Sequence, residues 1–203
     1  MSAFGLIDLP DEASTVFAEG FFGDASARQR ALALVDGYLV LGSTTSSGAG
    51  SIDASPGDLA ARYAAVRSLT MRLAEPLSDE DCQVQSMPDA SPTKWHLAHT
   101  SWFFEAVVLA PMATGYRPFD ARYAYLFNSY YESLGARHAR PRRGLLTRPA
   151  LHEVHAFRAH VDAALQDFIA RASADDWARA APLLELGLQH EQQHQELLLT
   201  DIL

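Results

Sequence analysis

The chain has 203 residues, 48% hydrophobic and 20% charged, enough for one ordinary core and a modest extension. Lys and Arg number 16 against 25 Asp and Glu, a formal net charge of −9, which argues against a general nucleic-acid or anionic-membrane surface and leaves small molecules or proteins as partners. Cys82 is the single cysteine, so there is no internal disulfide. There is no charged-then-apolar leader, and no apolar run of the roughly 18 residues that a membrane span requires. The expectation is a soluble, cytoplasmic chain.

Residues 1–57 differ from the rest. The tract GSTTSSGAGSIDASPGD (42–58) is rich in Ser, Gly and Thr and reads as a linker, because it buries too little to offset the entropy of ordering. Ahead of it, ARQRALALVDGYLVLG is compatible with a short helix or a strand, and the arm as a whole is expected to be loosely ordered.

From 58 onward the pattern is helical. Leu59, Tyr63, Val66, Leu69 and Leu73 recur at three- and four-residue spacing, with Ser55 and Asp58 as caps and Pro76 as a stop. The second helix opens at SPTKWHLAH, with Ser91 as cap and Pro92 in the first position, and stops before Pro111. Residues 112–149 lack a sustained period; a connection this long carries function or small local helices. Val154, Phe157, Val161, Leu165 and Phe168 predict a third helix. The fourth has Leu183, Leu186, Leu197 and Leu198 as its apolar face, and Pro182 places the start of its regular part. Four helices with a long connection between the second and third imply an all-α four-helix bundle.

His190 and His194 are one turn apart and project from one helical face. The expected stripe is Leu183, Leu186, His190, His194 and Leu197, which aims both imidazoles inward. Two buried rings without partners would cost on the order of 1–3 kcal/mol each, so they require a compensating interaction. A metal ion meets that need, and so does a pair of core histidines bonded to carbonyls or carboxylates. The H-E-x-x-H spelling also matches a zinc protease with Glu191 as base, but only nine residues follow His194 and they offer no third ligand off this helix. A third ligand must come from KWHLAH. There His99 shares a stripe with Trp95, Trp102 and Ala106, whereas His96 lies about a hundred degrees away. Three neutral nitrogens with open positions suit Fe(II), Zn(II) or Ni(II). His138, His152, His155 and His160 are assigned to surface or loop.

The segments SPTKWHLAHTSWFFE, YLFNSYYESLGARHARPRRGLLTRP and LELGLQHEQQHQELLLTDI, in this order, resemble the N-terminal DinB-like domain of the ergothioneine-biosynthesis sulfoxide synthases, the EgtB-type nonheme iron enzymes. The resemblance covers about 58–203. It implies Fe(II) held by His99, His190 and His194, with Glu191 left as a second-layer or surface group. It also implies a reaction in which O2 serves to join the sulfur of a cysteine-type thiol to the imidazole C2 of hercynine as a sulfoxide. Gln193 matches a glutamine near the histidine-derived substrate. Arg140 and Arg143 match basic residues that anchor the carboxylate of the thiol substrate, where an arginine fork pairs bidentately. Family members continue into a formylglycine-generating-enzyme-type domain that this sequence lacks, so the expectation is a metal-binding half, incomplete alone, with a separate second-domain chain as a partner. The competing expectations are a stand-alone DinB-type thiol-dependent transferase or isomerase, and a non-catalytic helical bundle.

Overall fold

A computed structural model describes residues 55–129 and 136–202. The N-terminal arm and most of the Ser/Gly-rich linker lie outside the described residues. The described chain is all-α, with no strand.

Helix α1 (Pro56–Ala74) starts as its sequence predicts: the Ser55 hydroxyl accepts from the Asp58 N–H at 3.2 Å, and Pro56 occupies the first position. Its buried stripe is Leu59, Tyr63, Arg67, Thr70 and Ala74, whereas Leu69 of the expected stripe is 39% exposed. The helix is rotated from the purely apolar reading because Arg67 and Thr70 face buried partners on other helices.

Helix α2 (Thr93–Phe104) is buried at all twelve positions, so it forms the centre of the bundle. Its cap is Pro92, one residue later than expected. Ser91 is otherwise engaged: its hydroxyl accepts from Arg143 and its N–H donates to Asp201. Rotation continues past the expected stop, through a π-helical turn (Glu105–Leu109) and the short α3 (Ala110–Met112). Pro111 lacks an N–H and its ring crowds the carbonyl of Val107, but that carbonyl lies in the π-helical stretch, where the regular ladder is already given up.

The long connection holds α4 (Tyr123–Leu126) and a 3-10 segment (Arg140–Leu145); a second 3-10 segment (Asp81–Gln83) follows α1. The connection is tied down by Gln85, whose amide donates to the Ala90 and Arg140 carbonyls and accepts from the Gly144 N–H.

Helix α5 (Leu151–Arg171) is entered with the Glu153 carboxylate accepting from the Ala150 N–H at 2.7 Å, and buries Val154, Phe157, Val161 and Leu165 as predicted. Helix α6 (Ala174–Asp201) begins at a Ser173 cap well ahead of Pro182, which lies inside it. The carbonyl that Pro182 leaves without a donor belongs to Ala178, on the exposed side, where water can satisfy it. The buried face of α6 also differs from expectation. Leu184, Leu188, Glu191, Gln195 and Leu198 point inward with Leu183, Gly187 and His194, while Leu186 and Leu197 are each 38% exposed.

Helix α2 packs on α5 and α6, and α1 packs chiefly on α6. Gly187 makes the α2–α6 contact close: a Cβ there would stand 2.4 Å from Cε1 of Phe104. Among the described residues no helix is long and apolar enough to cross a membrane.

Candidate metal centre

The close α2–α6 contact sets His99 of α2 against His190 and His194 of α6. One ring nitrogen from each of the three lies within 4.8 Å of the others, a group able to hold a metal ion. The rings meet edge to face, with centroids 4.9 Å apart for His99–His190, 4.7 Å for His99–His194 and 4.6 Å for His190–His194. The Nε2 atoms of His99 and His190 are 3.2 Å apart. Two nitrogens each about 2.0–2.1 Å from one ion, at angles between square and tetrahedral, stand roughly 2.8–3.4 Å apart, so the spacing of this pair suits a shared cation.

The protonation pattern suits a cation as well. His99 Nδ1 lies 2.6 Å from the Phe127 carbonyl, which can only accept; the proton therefore sits on Nδ1 and the lone pair on Nε2. Burial and the neighbouring His190 hold His99 well below the ordinary imidazole range. Burial brings His190 down to about 4, and burial with the two adjacent histidines brings His194 well below its usual value. All three are neutral near pH 7, the form that donates a lone pair. Nδ1 of His190 is buried without a hydrogen-bond partner. The residues present therefore fit a metal ion, and the donor set leaves Fe(II), Zn(II) and Ni(II) open.

The surroundings are aromatic and cationic. Trp95 stacks on His99 at 4.4 Å, and Trp102 stacks on it at 5.4 Å. On Trp95 lies the Arg143 guanidinium, 3.3 Å from the ring centroid. Arg143 is buried, donating to the Ser91 and Ser129 hydroxyls, and its charge helps to lower His96, His99 and His194. Arg140 is half-buried and donates to the Asp89 carbonyl. Gln193 is exposed on α6, one turn beyond His190. His138 and His160 are half-buried and His152 and His155 exposed, all outside the three-histidine group.

Two expectations are corrected. His96, assigned away from the inward stripe, is 2% exposed, with Nδ1 2.8 Å from His194 Nδ1 and Nε2 3.0 Å from the Asp201 carboxylate. A helix buried all round has no outward face, so the stripe argument fails there. Of the two places expected for Glu191, a second layer or the surface, the surface is excluded: it is fully buried, and its oxygens accept from Thr70 and Arg158 on one side and Arg67 on the other. Burial alone would raise its carboxyl, but the two guanidiniums hold it at about 2. With both oxygens occupied, Glu191 cannot serve as the base of a zinc protease.

The sequence reading also missed Asp201, Arg67, Arg158 and the Phe127 carbonyl. Asp201 had a signal, since it follows His194 by seven residues, two turns along one helical face. The carbonyl had none, because any residue supplies one.

Fold and site together define an all-α bundle with a candidate three-histidine metal centre between its second and fourth long helices. Residues 62–198 match the DinB superfamily, and the chain belongs to it. Comparison with curated proteins gives no match.

Proposed function

We propose that this chain is the metal-binding domain of a nonheme Fe(II), O2-dependent sulfoxide synthase that joins a cysteine-type thiol to hercynine, acting with a formylglycine-generating-enzyme-type domain. The observation that carries the reading is the convergence of His99, His190 and His194, which are the positions matched by the EgtB-type motifs. Ferrous iron, when bound, supplies one-electron chemistry with O2 at a centre with open positions. The overall change balances: the thiol S–H and the imidazole C2–H are lost, a carbon–sulfur bond forms, one oxygen atom stays on sulfur and the other leaves as water.

The chain's own residues prepare this chemistry. The Phe127 carbonyl keeps the His99 lone pair on Nε2, toward His190. Trp95, Trp102 and Phe103 wall the site against water, each 1–2% exposed. The Arg143 charge beside the cluster favours a thiolate and a carboxylate in a chain that is otherwise acidic. Exposed Gln193 is available to hydrogen-bond an imidazole substrate.

A second reading draws on the superfamily match itself, which spans nearly the whole described bundle. In it the chain is a stand-alone DinB-type enzyme that uses the same metal to activate a low-molecular-weight thiol for transfer or isomerisation. One experiment separates the two. Protein loaded anaerobically with Fe(II) is analysed for metal and then assayed with a thiol, hercynine and O2, the second domain being supplied in trans. Bound iron that disappears in His99→Ala, His190→Ala and His194→Ala, with O2 uptake needing both substrates, supports the synthase. Thiol transfer to an electrophile without O2 supports the second reading, and protein that binds no metal removes both.

A further inference from the structure

The third histidine of the cluster is held by a chain of hydrogen bonds that the three-histidine description leaves out. Asp201 Oδ2, at the end of α6, accepts from the Ser91 N–H at 2.8 Å and lies 3.0 Å from His96 Nε2. A carboxylate only accepts, so the proton between them belongs to His96 Nε2. In a neutral imidazole the other nitrogen then carries the lone pair, so His96 Nδ1 must accept from His194 Nδ1, 2.8 Å away. That leaves Nε2 as the one ring nitrogen of His194 with a lone pair. Had the proton sat on His194 Nε2, the lone pair would lie instead on Nδ1, the nitrogen that faces His96 at 2.8 Å.

We propose that Asp201 and His96 are positioning residues, a carboxylate–imidazole relay that fixes His194 in its Nδ1–H tautomer and so directs its Nε2 lone pair to the metal. The relay is anchored at both ends. Ser86 donates to the Asp201 backbone carbonyl at 2.6 Å, and His96 is 2% exposed on the central helix. It parallels the role of the Phe127 carbonyl at His99, but works through a second imidazole. His190 is the contrast, because its Nδ1 has no such partner. The proposal rests on the metal reading for its purpose, but the tautomer it assigns is a property of the metal-free protein.

The test uses both. Long-range proton–nitrogen correlation on metal-free, 15N-histidine-labelled protein at neutral pH should show His194, assigned by its loss in His194→Asn, as the Nδ1–H tautomer. In Asp201→Ala that signal should become a mixture of tautomers, and the affinity for Zn(II) and for Fe(II), measured by chelator competition, should fall about 10- to 100-fold, as for other partners of metal-bound histidines. Asp201→Asn keeps an accepting oxygen and should restore the tautomer and most of the affinity. A wild-type His194 protonated on Nε2, or Asp201→Ala with unchanged affinity, overturns the relay. If Asp201→Ala does not fold, the wild-type tautomer and the Asp201→Asn affinity decide. Wild-type protein that shows the Nδ1–H tautomer but binds neither metal sinks the metal reading and leaves the relay's geometry standing.

Discussion

Glu191 is the neighbour of His190 in sequence, yet it belongs to a different structure. Arg67 bridges it to Asp162, donating at 3.0 Å to Glu191 and at 2.7 Å to Asp162, while Arg158 donates to Glu191 at 3.0 Å. Two guanidiniums thus face two carboxylates, Glu191 fully buried and Asp162 half-buried at the edge of the bundle. Tyr63 donates to Asp162, and Arg158 reaches the Leu97 carbonyl and Thr100 of α2, so all four long helices contribute. A network of this kind is safe only when every member is satisfied, since the low dielectric that strengthens each bond also penalises a missing partner. Glu191→Ala would leave Arg67 and Arg158 facing one another without their shared anion. It is expected to lower the free energy of unfolding by about 3–5 kcal/mol. Urea titration measures this, and a loss below about 1 kcal/mol would show that water or a shifted side chain replaces the carboxylate. The same network fixes the rotation of α6 and thereby the direction in which His190 and His194 point.

Between the elements, the approach of α2 to α6 controls the site, and Gly187 permits it. An added methyl group would stand 2.4 and 2.8 Å from two ring atoms of Phe104 and 3.1 Å from Phe103, both side chains buried in the core. Gly187→Ala is expected to cost about 1–3 kcal/mol by overpacking. It should also widen the 3.2 Å gap between His99 and His190, so metal affinity should drop further than in Leu165→Ala, a comparably destabilised variant on α5. Equal metal affinity in the two variants would mean that the histidines tolerate a wider contact. Much of this architecture was legible beforehand, because α1 and α5 carry regular three- and four-residue spacing, α1 opens on its serine cap, and the histidine pair of α6 shares a face by spacing alone; the start of α6 was misplaced at Pro182, because the Ser173 cap lies well upstream of it. The faces of α1 and α6 were misjudged for one reason: Arg67, Thr70, Glu191 and Gln195 are polar and read as surface, whereas they satisfy each other inside. Helix α2 defeated the stripe argument from the opposite side. With all twelve residues buried it has no contrast between faces, so His96 could not be distinguished from His99. Which carbonyl would meet His99 depends on how the connection folds back over α2, and local sequence does not encode that.

At the scale of the whole molecule, neutral histidines, three buried and His190 half-buried, and a buried carboxylate set how stability depends on acid. The folded chain holds His190 at about 4, His99 and His194 well below the usual value, and His96 also lowered, all chiefly by burial. The unfolded chain protonates its histidines near pH 6.5. Between roughly pH 6.5 and 4, therefore, the unfolded state binds more protons than the folded one, and stability must fall as pH falls. Glu191 adds a second loss below about pH 4.5, as its carboxylate, held at about 2 in the fold, is protonated in the unfolded chain first. A bound metal superimposes a third dependence. It stabilises the folded state by RT ln(1 + [L]/Kd), and it competes with protons for the same lone pairs. The melting temperature of metal-saturated protein should exceed that of metal-free protein most at pH 7–8, and the difference should shrink to nothing toward pH 4. The metal-free protein should itself melt progressively lower over the same interval. Paired thermal melts with and without Zn(II) across this range make the measurement. A metal-induced difference that does not vary with pH would mean that the ion is not held by His99, His190 and His194. A metal-free stability that is flat from pH 7 to 5 would mean that the fold does not hold these imidazoles neutral.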